Sequence, residues 1–249
     1  MEVHSVFLDI DGTLITDTAG PFDDDIAGIK RARQKGTKFF LCTGRSLFQI
    51  RIILGETPWV DGIVAAGGAH VILGKETLYH HWMPVPVLCE IANLFLAKGK
   101  KCCFRGDENN YAVNQNGNKI PITSANDFAL KYSGARVSML TVDLSMGEEE
   151  RACLEKYFDI YPQIPHFDCF IKGGGKAKGA KLILERLGLD RKYCVAIGDS
   201  ANDLDVFELA GTGIAVGNAC DSLKEKASWI SANVGEGAVV NALEYLGLT

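Results

Sequence analysis

Val6-Phe7-Leu8-Asp9-Ile10-Asp11-Gly12-Thr13-Leu14 sets two carboxylates two positions apart, at the end of an apolar run and directly before a glycine turn. A near-continuous apolar run reads as a strand buried on both faces of a parallel sheet, and open α/β sheets bind their ligands just beyond the carboxyl ends of such strands. Asp9 therefore belongs at a crevice. Asp-x-Asp-Gly also occurs in calcium loops, but those need further oxygen ligands and a glutamate at the twelfth position, a pattern that Ile15, Thr16 and Ala19 do not supply.

Working outward, Asp23-Asp24-Asp25 places acids at the start of a helix carried by Ile26, Ile29, Lys30 and Arg33 and ended by Gly36. Lys38 to Cys42 is a second apolar strand, followed by Thr43-Gly44-Arg45-Ser46 and a helical pattern through Leu47, Ile50 and Leu54. A third strand, Gly62 to Ala66, closes on Gly67-Gly68. Strand alternating with helix implies a parallel sheet. The rhythm then changes: Tyr79 to Pro86 reads as a linker, and the following stretch mixes helices at Val87–Ala97 and Glu148–Phe158 with strands at 101–105, 110–114, 136–144 and 167–171. Such alternation predicts an α+β sheet with one covered face. Gly173-Gly174-Gly175 suits a hinge, after which the α/β rhythm resumes with a helix from Lys178, strands at Cys194–Ile197, Thr212–Val216 and Trp229–Ile230, and helices at 203–210, 219–227 and 238–246. The expected fold is α/β: a Rossmann-like parallel-sheet core formed by 1–81 and 173–249, with an inserted α+β cap at 82–172.

Composition narrows the function classes. A formal charge of −5 with dispersed Lys and Arg offers no basic stripe for a phosphate backbone, so no nucleic-acid partner is expected. No apolar stretch reaches the roughly 20 residues of a membrane helix, and Met1-Glu2-Val3-His4 is acidic rather than a basic leader, so no membrane partner is expected. Eight cysteines without a Cys-x-x-Cys pair read as reduced thiols of a cytoplasmic protein. The oligomeric state stays open.

Four polar clusters fall directly after core strands or at the next helix start: Asp9 with Asp11, Thr43, Lys178, and Asp199 with Asn202 and Asp203. In a parallel sheet these positions share one edge, so clusters distant in sequence converge. Each has a task in phosphoryl transfer. Asp9 can attack phosphorus and form an aspartyl-phosphate, while Asp11 protonates the leaving oxygen and later deprotonates water. The transition state spreads charge over the phosphoryl oxygens. Thr43, the Gly44 amide and Lys178 answer that charge, and Asp9, Asp199 and Asp203 with the Asp11 carbonyl make a hard oxygen set suited to Mg²⁺.

On these motifs the chain resembles the haloacid dehalogenase superfamily phosphatases, specifically the Cof-like group with a C2-type cap. Asp9-x-Asp11-Gly12-Thr13 is similar to the first family motif, Thr43-Gly44-Arg45 to the second, Lys178-Gly179 to the third and Gly198-Asp199-x-x-Asn202-Asp203 to the fourth. The resemblance implies Asp9 as nucleophile, Asp11 as acid and base, and Mg²⁺ held by Asp9, the Asp11 carbonyl and Asp199. It also places Gly12, Thr43, Gly44, Lys178 and Asn202 around the phosphate. A cap inserted after Thr43 favours hydrolysis, and the implied substrate is a small phosphorylated metabolite, sugar phosphates foremost. Gly67-Gly68-Ala69 stands where relatives often carry Asn-Gly-Ala. Two further readings remain: a phosphatase committed to one phosphosugar, of the sucrose- or mannosylglycerate-phosphate kind, and a phosphate- or metal-sensing protein without turnover.

Overall fold

The computed structural model describes residues 2–115, 117–163 and 165–249; Met1, Asn116 and Ile164 lie outside the described residues. In chain order the elements begin with β1 (Ser5–Leu8), α1 (Asp23–Gln34), β2 (Lys38–Cys42), α2 (Leu47–Leu54), β3 (Gly62–Ala65), β4 (His70–Leu73) and β5 (Glu76–His80). They continue with α3 (Val85–Ala97), β6 (Cys102–Gly106), β7 (Asn110–Val113), β8 (Ile120–Pro121), α4 (Asp127–Leu130), β9 (Val137–Asp143), α5 (Glu148–Leu154), β10 (Phe158–Gln163) and β11 (His166–Ile171). The last set is α6 (Lys176–Leu187), β12 (Cys194–Gly198), α7 (Leu204–Leu209), β13 (Thr212–Ala215), α8 (Asp221–Lys224), β14 (Trp229–Ile230) and α9 (Ala238–Tyr245).

Two compact units form: residues 1–43, 56–79 and 175–249 make one, and 44–55 with 80–174 make the other. The first is built on the sheet β14-β13-β12-β1-β2-β3-β4-β5. Its strands from β14 to β3 run parallel, with Leu8 registered against both Leu41 and Ile197. All four residues of β1 are buried, as the apolar run requires of a central strand. Thus the α/β parallel-sheet core expected from sequence is the one observed. Its far edge differs from expectation, because β4 turns back antiparallel on β3, pairing Ile63 with Ile72, where the sequence was read as leading into a linker. The His70–Leu73 run is too short for its pattern to distinguish a strand from connecting chain.

The second unit carries the sheet β10-β11-β9-β6-β7-β8, antiparallel except for the β7–β8 pair. Phe104, Leu140, Val142, Cys169 and Phe158 are buried on this sheet, and α3, which lies against β7, α4 and α5, buries the stripe Leu88, Ile91, Ala92 and Phe95 at i, i+3, i+4 and i+7. Two boundaries depart from the sequence reading. The helix at Glu148 stops at Leu154, and Phe158–Gln163 forms edge strand β10, where Phe158 and Ile160 alternate with exposed Asp159 and Tyr161. Residues 44–55, read as part of the core at 1–81, cluster instead with the inserted segment, since α2 lies against β6 and Gly44 against the Phe170 ring.

No helix among the described residues is long and apolar enough to cross a membrane. All eight cysteines are free, six of them buried.

Candidate active site

The site grows from the carboxyl ends of β1 and β12. The Asp9 N–H donates to the Ile197 carbonyl at 3.0 Å, extending the parallel ladder one residue past β1 and fixing Asp9 beside the start of the Gly198–Asp203 turn. Beyond it the chain folds back on itself: Gly12 donates to Ile15 O at 2.9 Å, and Gly12 adopts φ +74°, a conformation open to glycine. A Cβ at Gly12 would overlap the Asp199 carboxylate, so the missing side chain lets the two loops meet. Asn218 braces the same loop by donating through Nδ2 to Gly12 O at 2.8 Å while its Oδ1 accepts from Val234 N at 2.7 Å.

The lysine at this edge is Lys176, not Lys178. Its Nζ donates to Asp9 Oδ1 at 2.7 Å, Asn202 Oδ1 at 2.6 Å and Asp203 Oδ1 at 2.6 Å, and its side chain is 3% exposed. Lys178 is exposed, with its Nζ 5.3 Å from the Tyr79 ring centre. The reason is helical phase. Helix α6 begins at Lys176, two residues before the start read from sequence, and its buried positions are Lys176, Gly179, Ala180, Ile183 and Leu184. That stripe is i, i+3, i+4, i+7 and i+8, whereas Lys178, two residues on, lies about 200° around the helix. The sequence reading took the lysine of the Lys178-Gly179 pair; the structure puts Lys176 at the sheet edge and Lys178 on the exposed side of the helix.

Asp203 is an organiser. Besides Lys176, it accepts from the Asp199 and Ser200 amides at 3.2 Å each through Oδ2, closing the Gly198–Asp203 turn. Both of its oxygens are therefore engaged. Asp199 differs: its Oδ1 is buried with no hydrogen-bond partner among the described residues. One oxygen each of Asp9, Asp199 and Asp203 lies within 4.8 Å of the others. Burial pushes the Asp9 carboxyl well above the usual range, opposed by Lys176 and reinforced by Asp203, Asp199 and Asp11. Burial likewise pushes Asp199 up to about 7, with the Asp203 charge adding to it. Burial works against the Lys176 ammonium, yet Asp203 and Asp9 hold it above the ordinary lysine value. Three carboxylates against one ammonium leave the pocket short of positive charge. Hard oxygens, an Asp199 Oδ1 with no partner among the described residues and excess negative charge fit a divalent cation, which Asp9 and Asp199 would hold while Asp203 fixes the turn.

Thr43, Asn202 and Asp11 fall at the same edge. Thr43 follows β2 directly and is fully buried; its N–H donates to Val64 O at 2.8 Å and its carbonyl accepts from Gly67 N at 3.0 Å. Asn202 meets Lys176, and Asp11 is exposed just beyond β1. Gly44 groups with the other compact unit. Two contributors escaped the sequence reading, Lys176 and Asn218, the latter because a lone asparagine after β13 carries no motif.

A family model for haloacid dehalogenase-like hydrolases matches residues 6–243. A phosphoglycolate phosphatase of Methanosarcina acetivorans is 27% identical, over 99% of this chain and 97% of its own. The 5-amino-6-(5-phospho-D-ribitylamino)uracil phosphatase YcsE of Bacillus subtilis is 24% identical, over 98% of this chain and 96% of its own. Among solved structures, the subclass IIB sugar phosphatase BT4131 superposes with a TM-score of 0.81 at 26% identity, covering 99% of this chain and 100% of that one.

Proposed function

Because this chain belongs to the haloacid dehalogenase-like hydrolases and is a phosphatase of that superfamily, we propose that it hydrolyses phosphomonoesters of small metabolites, sugar phosphates foremost, with Mg²⁺ and in the cytoplasm. The observation that carries the reading is the Lys176 ammonium, buried and bonded at once to Asp9, Asn202 and Asp203. A buried ammonium needs an acceptor for each of its three N–H groups, and here all three acceptors are residues of the site, so the same charge balances the Asp9 carboxylate that is to meet a phosphate. The named activities of the relatives, on phosphoglycolate, on a phosphoribityl compound and on sugar phosphates, support a small hydroxylated leaving group.

In the proposed reaction an Asp9 oxygen attacks phosphorus and the bond to the leaving oxygen breaks, with Asp11 delivering a proton to that oxygen. Asp11, now a carboxylate, takes a proton from water as the water oxygen attacks the phosphoryl group. The Asp9–phosphorus bond breaks, Asp9 is regenerated and inorganic phosphate leaves. Lys176, the Thr43 hydroxyl and Asn202 steady the phosphoryl charge through both steps. A bound Mg²⁺ supplies the further positive charge that phosphoryl oxygens need in the transition state.

A panel of sugar phosphates, nucleotides and pyridoxal phosphate, assayed with Mg²⁺ and with chelator, tests the reading. Turnover should require the metal and vanish in Asp9→Asn. Full activity in Asp9→Asn would refute the covalent route, and preference for nucleotides would refute the substrate class.

A further inference from the structure

Helix α6 delivers Lys176 from its first turn, yet that turn lacks its own cap. Its N-cap is Gly175, which has no side chain to accept from the first amides, and no side-chain cap bond is made locally. The acceptor comes from another element: Asp205, in the first turn of α7, takes the Ala177 N–H on Oδ2 at 3.0 Å. Ala177 is the second residue of the helix, whose amide an N-cap side chain ordinarily satisfies. Space explains the exchange. A Cβ on Gly175 would lie 3.1 Å from Asp205 Oδ2, so the carboxylate occupies the volume that a capping side chain at 175 would need. Gly175 is in turn pinned by its N–H to Gly67 O at 2.8 Å, and at φ +128° it holds a conformation L-residues rarely adopt.

Resting on the phosphatase reading above, we propose that Asp205 is a positioning residue for the reaction: by capping α6 from α7 it sets the first turn that aims Lys176 at Asp9. The chain contains a matched control. Asp25 of α1 caps α9 in the same manner, accepting from Val239 N at 3.1 Å and Val240 N at 2.8 Å, where the N-cap is again a glycine, Gly237. Helix α9 carries none of the site residues. Both carboxylates also keep one buried oxygen without a hydrogen-bond partner among the described residues, so the two caps match in kind.

The test compares Asp205→Ala, Asp205→Asn and Asp25→Ala with Lys176→Met in the full-length protein. Thermal unfolding should show similar losses for the two alanine cap variants. Only Asp205→Ala should lower kcat, by about tenfold with KM nearly unchanged, since a misaimed lysine weakens transition-state more than ground-state contacts. Asp205→Asn, which keeps an oxygen acceptor, should recover most of that loss. The Lys176 ammonium resonance, read by ¹⁵N NMR without substrate, should shift in Asp205→Ala and stay in place in Asp25→Ala. An unmoved resonance, or equal kcat losses in the two alanine variants, overturns the positioning role. Full activity in Lys176→Met would instead overturn the phosphatase reading of this lysine, leaving the NMR comparison to decide whether Asp205 positions it.

Discussion

Replacing Lys176 by methionine removes a charge held among three acceptors at 2.6 to 2.7 Å, and it does so where Asp9 and Asp203 are 5% and 1% exposed. Methionine keeps the length of the stem and loses the ammonium. Breaking a buried ion pair on one side costs about 3–5 kcal/mol, because the stranded carboxylates keep their desolvation penalty. For a chain of 249 residues each kcal/mol moves Tm by roughly 2–4 °C, so unfolding without divalent cation should shift down on the order of 10 °C. Turnover should fall further than stability explains: losing one preorganised charge on the transferring group costs about 10²–10³ in kcat. The comparison variant is Lys178→Met, two residues along and exposed, for which stability should change by no more than about 0.5 kcal/mol and activity should hold. Release of inorganic phosphate from a chromogenic phosphomonoester at a temperature where both variants are folded supplies the measurement. Equal losses in the two variants, or loss confined to Lys178→Met, would refute the assignment of the buried lysine.

Three further outcomes are expected. Asp199→Asn should abolish the rise in Tm that Mg²⁺ gives the parent protein, since Asp199 Oδ1 is a buried site oxygen with no hydrogen-bond partner among the described residues; an undiminished Mg²⁺ response by scanning calorimetry would remove Asp199 from the cation site. Gly12→Ala should cost about 1–3 kcal/mol in denaturant unfolding and also weaken the Mg²⁺ response, because the new Cβ meets the Asp199 carboxylate at a positive φ; near-parent behaviour would show that the two loops do not need close approach. Asp127 tests the other unit by pH. Its carboxyl accepts from Lys131, at 2.9 Å, and from the Thr123 and Ser124 amides, and these hold its pKa down to about 2. The folded value lies below the unfolded one, so the contribution is present above about pH 4 and is lost as pH falls toward 2. With Lys131 largely exposed, screening reduces it to about 1–2 kcal/mol, so urea unfolding of Asp127→Asn should show that deficit at pH 7 and only a small remainder of it near pH 2; a pH-independent deficit would mean lost packing, not charge.

Much of the core was legible because its strands are near-continuous apolar runs alternating with helices of strong periodicity. The run ending at Asp9, the strand at Lys38–Cys42 and the strand at Cys194–Gly198 each end at a polar cluster, and a parallel sheet leaves such ends nowhere to go but one edge. Short or ambiguous pieces were not legible. The antiparallel β4 has four residues and β10 is broken up by exposed Asp159, Tyr161 and Pro162, so their identity depends on which neighbour offers hydrogen bonds. The helix at 47–54 looked like any core crossover, yet it lies against β6, a choice made by packing and not by its own pattern.

The sequence by itself determined the parallel core, the two aspartates at the end of its central strand and the chemistry their spacing allows, because apolar periodicity and residue type act locally. Only the tertiary structure decided which lysine answers them. Lys176 and Lys178 are the same residue type two positions apart, and what separates them is the phase of α6. That phase is set by Gly175 seated against Gly67, by Gly179 packed on Val64 and by Asp205 reaching over from α7, contacts between segments that no local pattern could bring together.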